Sequence, residues 1–291
     1  MTPVELIESV VLRDCGRGIE LLAAYAQGDL ARAALHLRSA SSVVVATGVA
    51  VPTPQGPAAE TDGPVGAAAV VSVLNSVGIH AAIVTDQLNA SVCAASLSAY
   101  GLSDNLVQVV SQDGVPRKAA ELWANGARTV LFIERLGPNA AHRYLSMGGV
   151  DLSTFTVPLD GLLTQPFYSI GIGDGGNEIG MGRIPHAVVA ETIDRGDEIH
   201  CSTATDELVL AGVSNWGAWA LVGAMAVQDH NFAGAATQAL AVDRCETALE
   251  RAVHAGAVDG VTKKNVESVD GFDRPIHSAV LVAVVALAGL S

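Results

Sequence analysis

Short, continuously apolar segments alternate with longer segments of helical length along most of this chain. The short segments predict strands at 42–47, 81–85, 106–110, 129–133, 167–172 and 207–213. The longer segments predict helices at 65–77, 89–100, 115–125, 185–195, 216–228, 235–254 and 277–289. Strands that are apolar on both faces need cover on both sides, so this alternation indicates a mostly parallel sheet with helices on both faces. We therefore expect a Rossmann-like, three-layer α/β fold.

The first forty residues precede the first predicted strand and are patterned as helical at 4–14 and 18–38, and in the second segment one helix is expected to end and the next to begin at Gly28-Asp29. We expect a single α/β domain over 1–291, with 1–40 as an N-terminal helical cap and 41–291 as the sheet core. Within that core, the segment 51–63 contains several prolines and glycines, which predicts a loop without regular structure.

Composition and charge exclude several classes of function. The formal net charge of −14 leaves no basic surface for nucleic acid. We see no secretory signal, and the apolar segment 279–290 is too short to span a bilayer, so no membrane partner is expected. Four cysteines without CxxC spacing are typical of a reducing compartment, which favours a cytoplasmic location. The Ala- and Val-rich helices are compatible with a homodimer.

Polar residues follow several predicted strands at the point where each strand ends. Because the carboxyl ends of parallel strands lie on one edge of the sheet, these residues should meet in one crevice. The residues concerned are Thr47, Gly48, Asp86, Glu134, Arg135, Asp174, Asn177, Glu178, Ser214 and Asn215.

The segment 169–182 is an apolar strand followed by a glycine-rich turn that contains Asp174, Asn177 and Glu178. Glycine is needed where the backbone takes positive φ or passes close to a ligand. Three oxygen-bearing side chains on such a turn can converge on a hard cation or a polar substrate. The alternative is a turn in which one of them caps the next helix. Three polar groups among so many glycines favour the functional interpretation.

Three further groups of residues allow both a structural and a functional interpretation. Glu60, Thr61 and Asp62 precede a predicted helix, where they either cap it or hold substrate at its N-terminus. Asp86 either caps a helix or takes part in chemistry. Arg135 either forms a surface ion pair or binds a substrate carboxylate through its guanidinium fork.

Several segments, in this order, resemble the D-glutamate cyclase family, specifically its C-terminal domain. The resemblance extends from about residue 11 to the end, and it implies an α/β fold and conversion of D-glutamate to 5-oxo-D-proline with loss of water, assisted by a divalent metal. The segments that carry it are Asp14-Cys-Gly-Arg-Gly18, Glu60-Thr-Asp-Gly-Pro64, Ile133-Glu-Arg135, Gly171–Gly182, Ala211-Gly-Val-Ser-Asn-Trp-Gly217, and Val269-Asp-Gly271 with His277.

For this reaction we expect a metal-assisted lyase acting on a small acidic amino acid. The hypothesis places Mg²⁺ or Mn²⁺ on Asp174 and Glu178, and Asp86 or Glu60 as the general base. Arg135 would bind the α-carboxylate. The residues predicted to bind substrate are Thr47, Gly48, Thr61, Asp62, Glu134, Arg135, Asn139, Asn177, Ser214 and Asn215.

Two alternatives stay open at the level of sequence. The turn Gly173-Asp-Gly-Gly-Asn-Glu178 is similar to the magnesium loop of haloacid-dehalogenase-type phosphatases, although no Asp-x-Asp nucleophile pair follows a strand. A metal-dependent phosphatase-like hydrolase is therefore one alternative. A non-catalytic regulatory domain that binds an amino acid or nucleotide is the other. It is favoured by the segment 136–149, which departs from the family's usual form near Ala141 and Ser146.

Overall fold

A six-stranded parallel sheet forms the centre of the computed structural model, which describes residues 1–290. The strand order in this sheet is β5-β4-β1-β6-β7-β8, and the remaining strands form two small antiparallel pairs, β2-β3 and β9-β10. The strands, numbered along the chain, are β1 (Ser42–Thr47), β2 (Ala50–Thr53), β3 (Gly56–Ala59), β4 (His80–Thr85), β5 (Val107–Val109), β6 (Thr129–Ile133), β7 (Tyr168–Gly173), β8 (Glu207–Leu210), β9 (Ser268–Val269) and β10 (Phe272–Asp273).

Eleven α-helices lie around this sheet in residues 1–290. Short 3-10 turns supplement them, of which the longest is Ile19–Tyr25. The helices are α1 (Pro3–Val11), α2 (Asp29–Leu37), α3 (Pro64–Ser76), α4 (Ala90–Ser98), α5 (Val115–Ala124), α6 (His186–Thr192), α7 (Gly196–Ile199), α8 (Ser214–Gln228), α9 (Ala233–Ala239), α10 (Val242–His254) and α11 (Arg274–Leu287).

Alternate side chains of the strands enter two hydrophobic cores, one on each face of the sheet. On β1, Val43 and Val45 belong to the core that includes α3 and α8, whereas Val44 and Ala46 belong to the core that includes α5. This is the period of two that a strand imposes on its side chains. The predicted three-layer α/β fold is confirmed. The core on the α3 and α8 face also takes in side chains of α1 and α2.

The direction of strand succession reverses between β1 and β6. From β1 the chain adds β4 and β5 on one side, and from β6 it adds β7 and β8 on the other. Ligands of open parallel sheets bind outside the carboxyl ends of the strands at such a reversal. The topology therefore places a crevice next to the residues that follow β1 and β6.

Two sequence predictions of local structure are wrong. The segment 51–63 contains most of a β-hairpin of β2 and β3, in which Pro52 lies directly opposite Pro57. Proline is tolerated there because both strands of an isolated hairpin are edge strands, which need not donate on both sides. The helix predicted at 235–254 is divided into α9 and α10, because Ala241 takes an extended conformation without any glycine or proline to signal it.

The C-terminal apolar segment forms α11, which buries His277, Val280, Leu281 and Val284 on one side. Within residues 1–290, none of the helices combines the length and the apolar character that crossing a membrane requires.

Candidate active site

A cavity of about 240 Å³ opens at the carboxyl edge of the sheet, beside the reversal of strand order. We call it the site cavity. A volume of this size suits a small metabolite better than a drug-sized ligand, for which pockets of about 300–1,000 Å³ are usual. Its polar lining residues are Arg17, Glu60, Glu134, Ser146, Asp174, Asn177, Lys263 and Asp270.

Three buried carboxylates, from Asp62, Glu134 and Asp174, form the centre of the site, and we call them the carboxylate triad. One oxygen of each lies within 4.8 Å of the others. Glu134 follows β6 and Asp174 follows β7, and these strands are hydrogen-bonded neighbours, so the two side chains leave the sheet side by side. Glu134 has a φ of 43°, a left-handed conformation that non-glycine residues rarely adopt outside constrained sites.

The N-terminus of α8 fixes the carboxylate triad from the opposite side. The Ser214 amide donates to Asp62 Oδ2 at 2.8 Å and to Asp174 Oδ2 at 3.1 Å. The Ser214 hydroxyl donates to Glu134 Oε2 at 2.6 Å, so this one residue contacts all three carboxylates. Because the first amides of a helix carry partial positive charge, they favour anions at this position.

Arg17 and Asp270 join the site, although neither was among the predicted site residues. The guanidinium of Arg17 pairs with Asp174 Oδ1 at 2.6 Å and with Asp270 Oδ2 at 2.9 Å. Arg17 lies between Gly16 and Gly18, which both have a φ of 79°. The Gly-Arg-Gly sequence could have indicated this role, because glycine on both sides allows a left-handed backbone that other residues rarely adopt.

Negative charge exceeds local positive charge in this site. Burial raises the pKa of Asp174, although Arg17 opposes that shift. Burial, together with the charge of Asp174, raises the pKa of Glu134 well above its usual value. Burial and the charge of Asp270 do the same for the pKa values of Glu60 and Asp62. Burial, with repulsion from Asp174, raises the pKa of Asp270 to about 7. A site of this kind takes up protons or a cation.

Glu178 shapes the glycine turn and does not join the carboxylate triad. Its Oε1 accepts from the amides of Asp174 at 3.2 Å and Gly175 at 2.7 Å, and its Oε2 accepts from Gly176 at 2.8 Å. A carboxylate that accepts three backbone N–H groups is anchoring the backbone around it. Both carboxylate oxygens of Glu178 are therefore engaged by backbone amides, and the carboxylates whose oxygens converge with Asp174 are those of Asp62 and Glu134. The predicted metal pair of Asp174 and Glu178 stays a prediction.

Asn177 lines the site cavity, and within residues 1–290 only the Nδ2 of its side-chain amide is hydrogen-bonded. Its Nδ2 donates to the Leu145 carbonyl at 2.8 Å, which fixes the orientation of the side chain. Its Oδ1 is buried and accepts no hydrogen bond from any residue in 1–290. A buried acceptor without a partner is costly, so this oxygen is suited to receive an N–H group from a ligand.

Asp86 and Arg135 form a buried ion pair that lies outside the site cavity. Arg135 Nη1 donates to Asp86 Oδ2 at 2.7 Å and to the Gly48 carbonyl at 2.6 Å, and Nη2 donates to the Val157 carbonyl at 2.6 Å. With these partners the guanidinium fork is already engaged. Asp86 lines a different cavity, so the structure does not bring the predicted base to the carboxylate triad.

The remaining predicted residues serve the architecture around the site. Thr61 donates to the Ser268 carbonyl at 2.9 Å, and the Thr47 carbonyl accepts from Thr85 at 2.7 Å. Asn139 orders the loop that follows β6 by accepting from the amides of Ala141 and Arg143. None of these three predicted residues lines the site cavity among the described residues.

Asp62 and Asn215 connect the two helices that meet at the site. Asp62 accepts from the Asn215 amide at 2.8 Å, and Asn215 Oδ1 accepts from the amides of Gly63 at 3.1 Å and Gly66 at 2.7 Å. The predicted cap of α3 is therefore supplied by Asn215 of α8, and not by Thr61 or Asp62.

The carboxylate triad is the group that could hold a divalent cation. Its donors are carboxylate oxygens, which Mg²⁺ and Mn²⁺ prefer. Burial is the main cause that raises the pKa values of Asp62, Glu134 and Asp174, and repulsion from neighbouring carboxylates adds to it, which a bound cation would relieve. The residues present thus fit a hard divalent metal ion.

Two comparisons relate this chain to known proteins. A family model described as "D-glutamate cyclase-like, C-terminal" matches residues 7–285. The chain is also 34% identical over 237 residues to "D-glutamate cyclase, mitochondrial" of Homo sapiens, and the alignment covers 75% of this chain and 38% of that protein. The chain thus spans well under half the length of this relative.

Proposed function

Because this chain belongs to the D-glutamate cyclase-like family, we propose that it is a lyase that converts D-glutamate, or a related acidic amino acid, to 5-oxo-D-proline with loss of water. The observation that carries the proposal is the site cavity, which is lined by Glu134 and Asp174 of the carboxylate triad together with Arg17 and by Asn177, whose Oδ1 has no hydrogen-bond partner among the described residues. Such a lining suits a small ligand that has both an ammonium and carboxylates.

The reaction joins the amino nitrogen to the γ-carboxyl carbon, and one carboxyl oxygen leaves as water. At neutral pH the ammonium must first lose a proton, so the site needs a general base. Glu60 lines the site cavity, and burial raises its pKa toward the range in which a carboxylate can exchange a proton with an amine. Asp86, the other predicted base, contacts Arg135 and lies elsewhere. We assign the base to Glu60, with Asp270 as a neighbouring proton acceptor.

Charge on the cavity wall orients the substrate. Arg17 and Lys263 are the cationic side chains that line the site cavity among the described residues. Arg17 is already neutralised by Asp174 and Asp270, which leaves Lys263 to bind a substrate carboxylate. The Oδ1 of Asn177 accepts from the substrate amine and so holds its nitrogen in position.

Asp62, Glu134 and Asp174 would hold a Mn²⁺ or Mg²⁺ ion. When bound, such an ion offsets carboxylate charge and stabilises the oxyanion that develops on the γ-carboxyl group. The chain's own contribution is to keep these three side chains aligned, through the amide and hydroxyl of Ser214. Glu178 contributes by fixing the turn that carries Asp174 and Asn177.

Incubation of the purified protein with D- and L-glutamate tests this proposal. We expect loss of one water from D-glutamate, measured by mass spectrometry, with activity that rises on addition of Mn²⁺ and falls with EDTA. Absence of any product from either enantiomer under all metal conditions would contradict the proposal. A parallel screen for phosphate release from phosphomonoesters addresses the phosphatase alternative.

A non-catalytic amino-acid-binding domain is the second candidate. The observation that favours it is that Ser146, Met147 and Gly148 line the site cavity, within the segment that departs from the family's usual form. Saturable calorimetric binding of D-glutamate without turnover would support this candidate over the cyclase.

A further inference from the structure

His186 and His200 face each other at a second cavity, of about 320 Å³. In residues 1–290 its lining has no residue in common with the site cavity. His186 is the first residue of α6, and His200 follows α7, so the pair joins the two ends of one helical hairpin. Their Nδ1 atoms are 3.2 Å apart.

The outer nitrogen of each ring faces a hydrogen-bond acceptor. His200 Nε2 lies 3.0 Å from the carbonyl oxygen of Met181, which can only accept, so this nitrogen carries a hydrogen. His186 Nε2 lies 3.0 Å from Asp197 Oδ1 in a contact at the surface, and a carboxylate acceptor there favours a hydrogen on this nitrogen as well. The two contacts together favour the Nε2–H tautomer for both rings.

The inner nitrogens, Nδ1 of each ring, face each other. A neutral histidine that carries its hydrogen on Nε2 presents a lone pair at Nδ1. Two neutral rings would then direct lone pairs at each other across 3.2 Å, with no hydrogen between them. That arrangement is repulsive, so it calls for a positive charge between the rings, either a proton or a metal ion.

The separation matches two ligands of one metal ion. Zinc binds imidazole nitrogen at about 2.0–2.1 Å, so two ligands at a tetrahedral angle lie about 3.3 Å apart. Metal-bound histidines usually donate their other ring N–H to a carboxylate or a backbone carbonyl, as His186 does to Asp197 and His200 to Met181. Arg183 lines the same cavity, but its guanidinium is engaged by Asp29 and the Asp206 carbonyl.

We propose that His186 and His200 bind a borderline-soft divalent cation, with Zn²⁺ as the best match, through their Nδ1 atoms. Imidazole suits such ions, whereas the carboxylate triad suits Mg²⁺ or Mn²⁺, so the two sites select different metals. Water from the cavity completes the coordination. The ion thereby links the first residue of α6 to the residue that follows α7.

A metal ion bound by His186 and His200 stabilises the glycine turn from outside the site cavity. The Cys201 amide, next to His200, donates to the Gly176 carbonyl at 3.0 Å. Val189 and Ile193, from α6 and its end, lie against Gly176. Zinc binding is therefore structural, and its effect is expected on stability and not on the reacting atoms.

Zinc titration of the wild-type protein and His186→Ala tests the proposal, with excess Mg²⁺ present to occupy oxygen sites. His186 is half-exposed, so the substitution leaves the core intact. We expect the wild type to bind one more Zn²⁺ per chain than His186→Ala, and Zn²⁺ to raise the melting temperature of the wild type only. His80→Ala, which removes a different exposed histidine, should match the wild type.

Histidine ¹⁵N spectra provide a direct second readout. On addition of one equivalent of Zn²⁺, the Nδ1 resonances of His186 and His200 should both shift, while both Nε2 atoms keep their hydrogens. Equal zinc stoichiometry in wild type and His186→Ala would overturn the proposal. So would an Nδ1 of His186 that stays protonated in the presence of Zn²⁺, because the positive charge between the rings would then be a proton.

Discussion

Asp62 and Asn215 form reciprocal caps on two helices. Asp62 accepts from amides at the start of α8, and Asn215 accepts from amides at the start of α3. Asp62, just before α3, accepts from the amides of Ser214 and Asn215 at the start of α8. Asn215 in turn accepts from the amides of Gly63 and Gly66 at the start of α3, and donates to the Thr61 carbonyl. Two helix N-termini are thereby fixed to each other, and both point toward the carboxylate triad.

Asn215→Ala should lower the free energy of unfolding by about 2 kcal/mol. The substitution leaves the buried amide of Gly66 without an acceptor, whereas the Gly63 amide keeps Asp62 Oδ1 at 3.0 Å. Cap loss typically costs about 0.5–2 kcal/mol. Denaturant titration at constant m-value provides the measurement. Asn105→Ala, at an exposed position, is the control and should change stability by less than about 0.5 kcal/mol. Equal effects of the two substitutions would contradict the capping role.

Asp174→Asn and Glu178→Gln should separate metal binding from folding. Asp174 belongs to the carboxylate triad, so its substitution should weaken Mn²⁺ binding at least about tenfold and abolish turnover, with a smaller effect on stability because it removes buried charge. Glu178→Gln loses charge-assisted bonds to three amides and should cost about 2–3 kcal/mol of stability.

Calorimetric Mn²⁺ titration and thermal unfolding measure these two quantities. Glu191→Gln, an exposed change of the same kind, should alter neither. If Glu178→Gln weakened Mn²⁺ binding as strongly as Asp174→Asn while the protein stayed fully stable, the originally predicted metal pair would regain support.

The residues at strand ends were predictable because a parallel sheet brings them together by topology alone. Glu134 and Asp174 follow neighbouring strands, so their proximity required only the correct strand order. Arg135 shows the limit of this argument. Adjacent residues leave a strand end in different directions, and Arg135 turned to Asp86 and the Gly48 carbonyl, away from the cavity that Glu134 lines.

Arg17 and Asp270 lie in segments that carry the family resemblance, but strand order could not assign them to the site. Arg17 and Asp270 lie in segments near the two ends of the chain, and only tertiary packing brings them to Asp174. The sequence predicts Glu178 as a metal ligand, but the direction of its carboxylate depends on the backbone of the turn, including a φ of 96° at Gly176. No residue pattern fixes that direction.

Asp270→Asn should flatten the dependence of stability on pH in the metal-free protein. Burial and Asp174 raise the pKa of Asp270 to about 7, above its ordinary value of 3.8. The folded state therefore binds more protons than the unfolded state between these values, and stability falls as pH rises from about 4 through about 7. The variant mimics the protonated form, so it should lack this loss, which amounts to roughly 2–4 kcal/mol.

The measurement is the free energy of unfolding of wild type and of Asp270→Asn at intervals from pH 4 to pH 8. Subtracting one curve from the other removes the contribution of groups that titrate in both proteins. Mn²⁺ should reduce the wild-type loss at high pH, because a bound cation offsets the same negative charge. Parallel curves for the two proteins without metal would contradict the raised pKa of Asp270.

Lys263→Gln should raise the KM for D-glutamate roughly fivefold with little change in kcat, because an exposed charge contributes at most about 1 kcal/mol to binding a carboxylate. Lys263 lines the site cavity, and Arg17, the other cation there among the described residues, is held by Asp174 and Asp270. Glutamine is polar but uncharged and somewhat shorter than lysine, and it replaces Lys263 at a position with a φ of 58°. Lys264→Gln removes the same charge from the next residue, which does not belong to the cavity lining, and should leave KM within about twofold. Steady-state kinetics give the KM of both variants. An equal rise in KM would indicate a general effect of net charge and would contradict a role of Lys263 in substrate recognition.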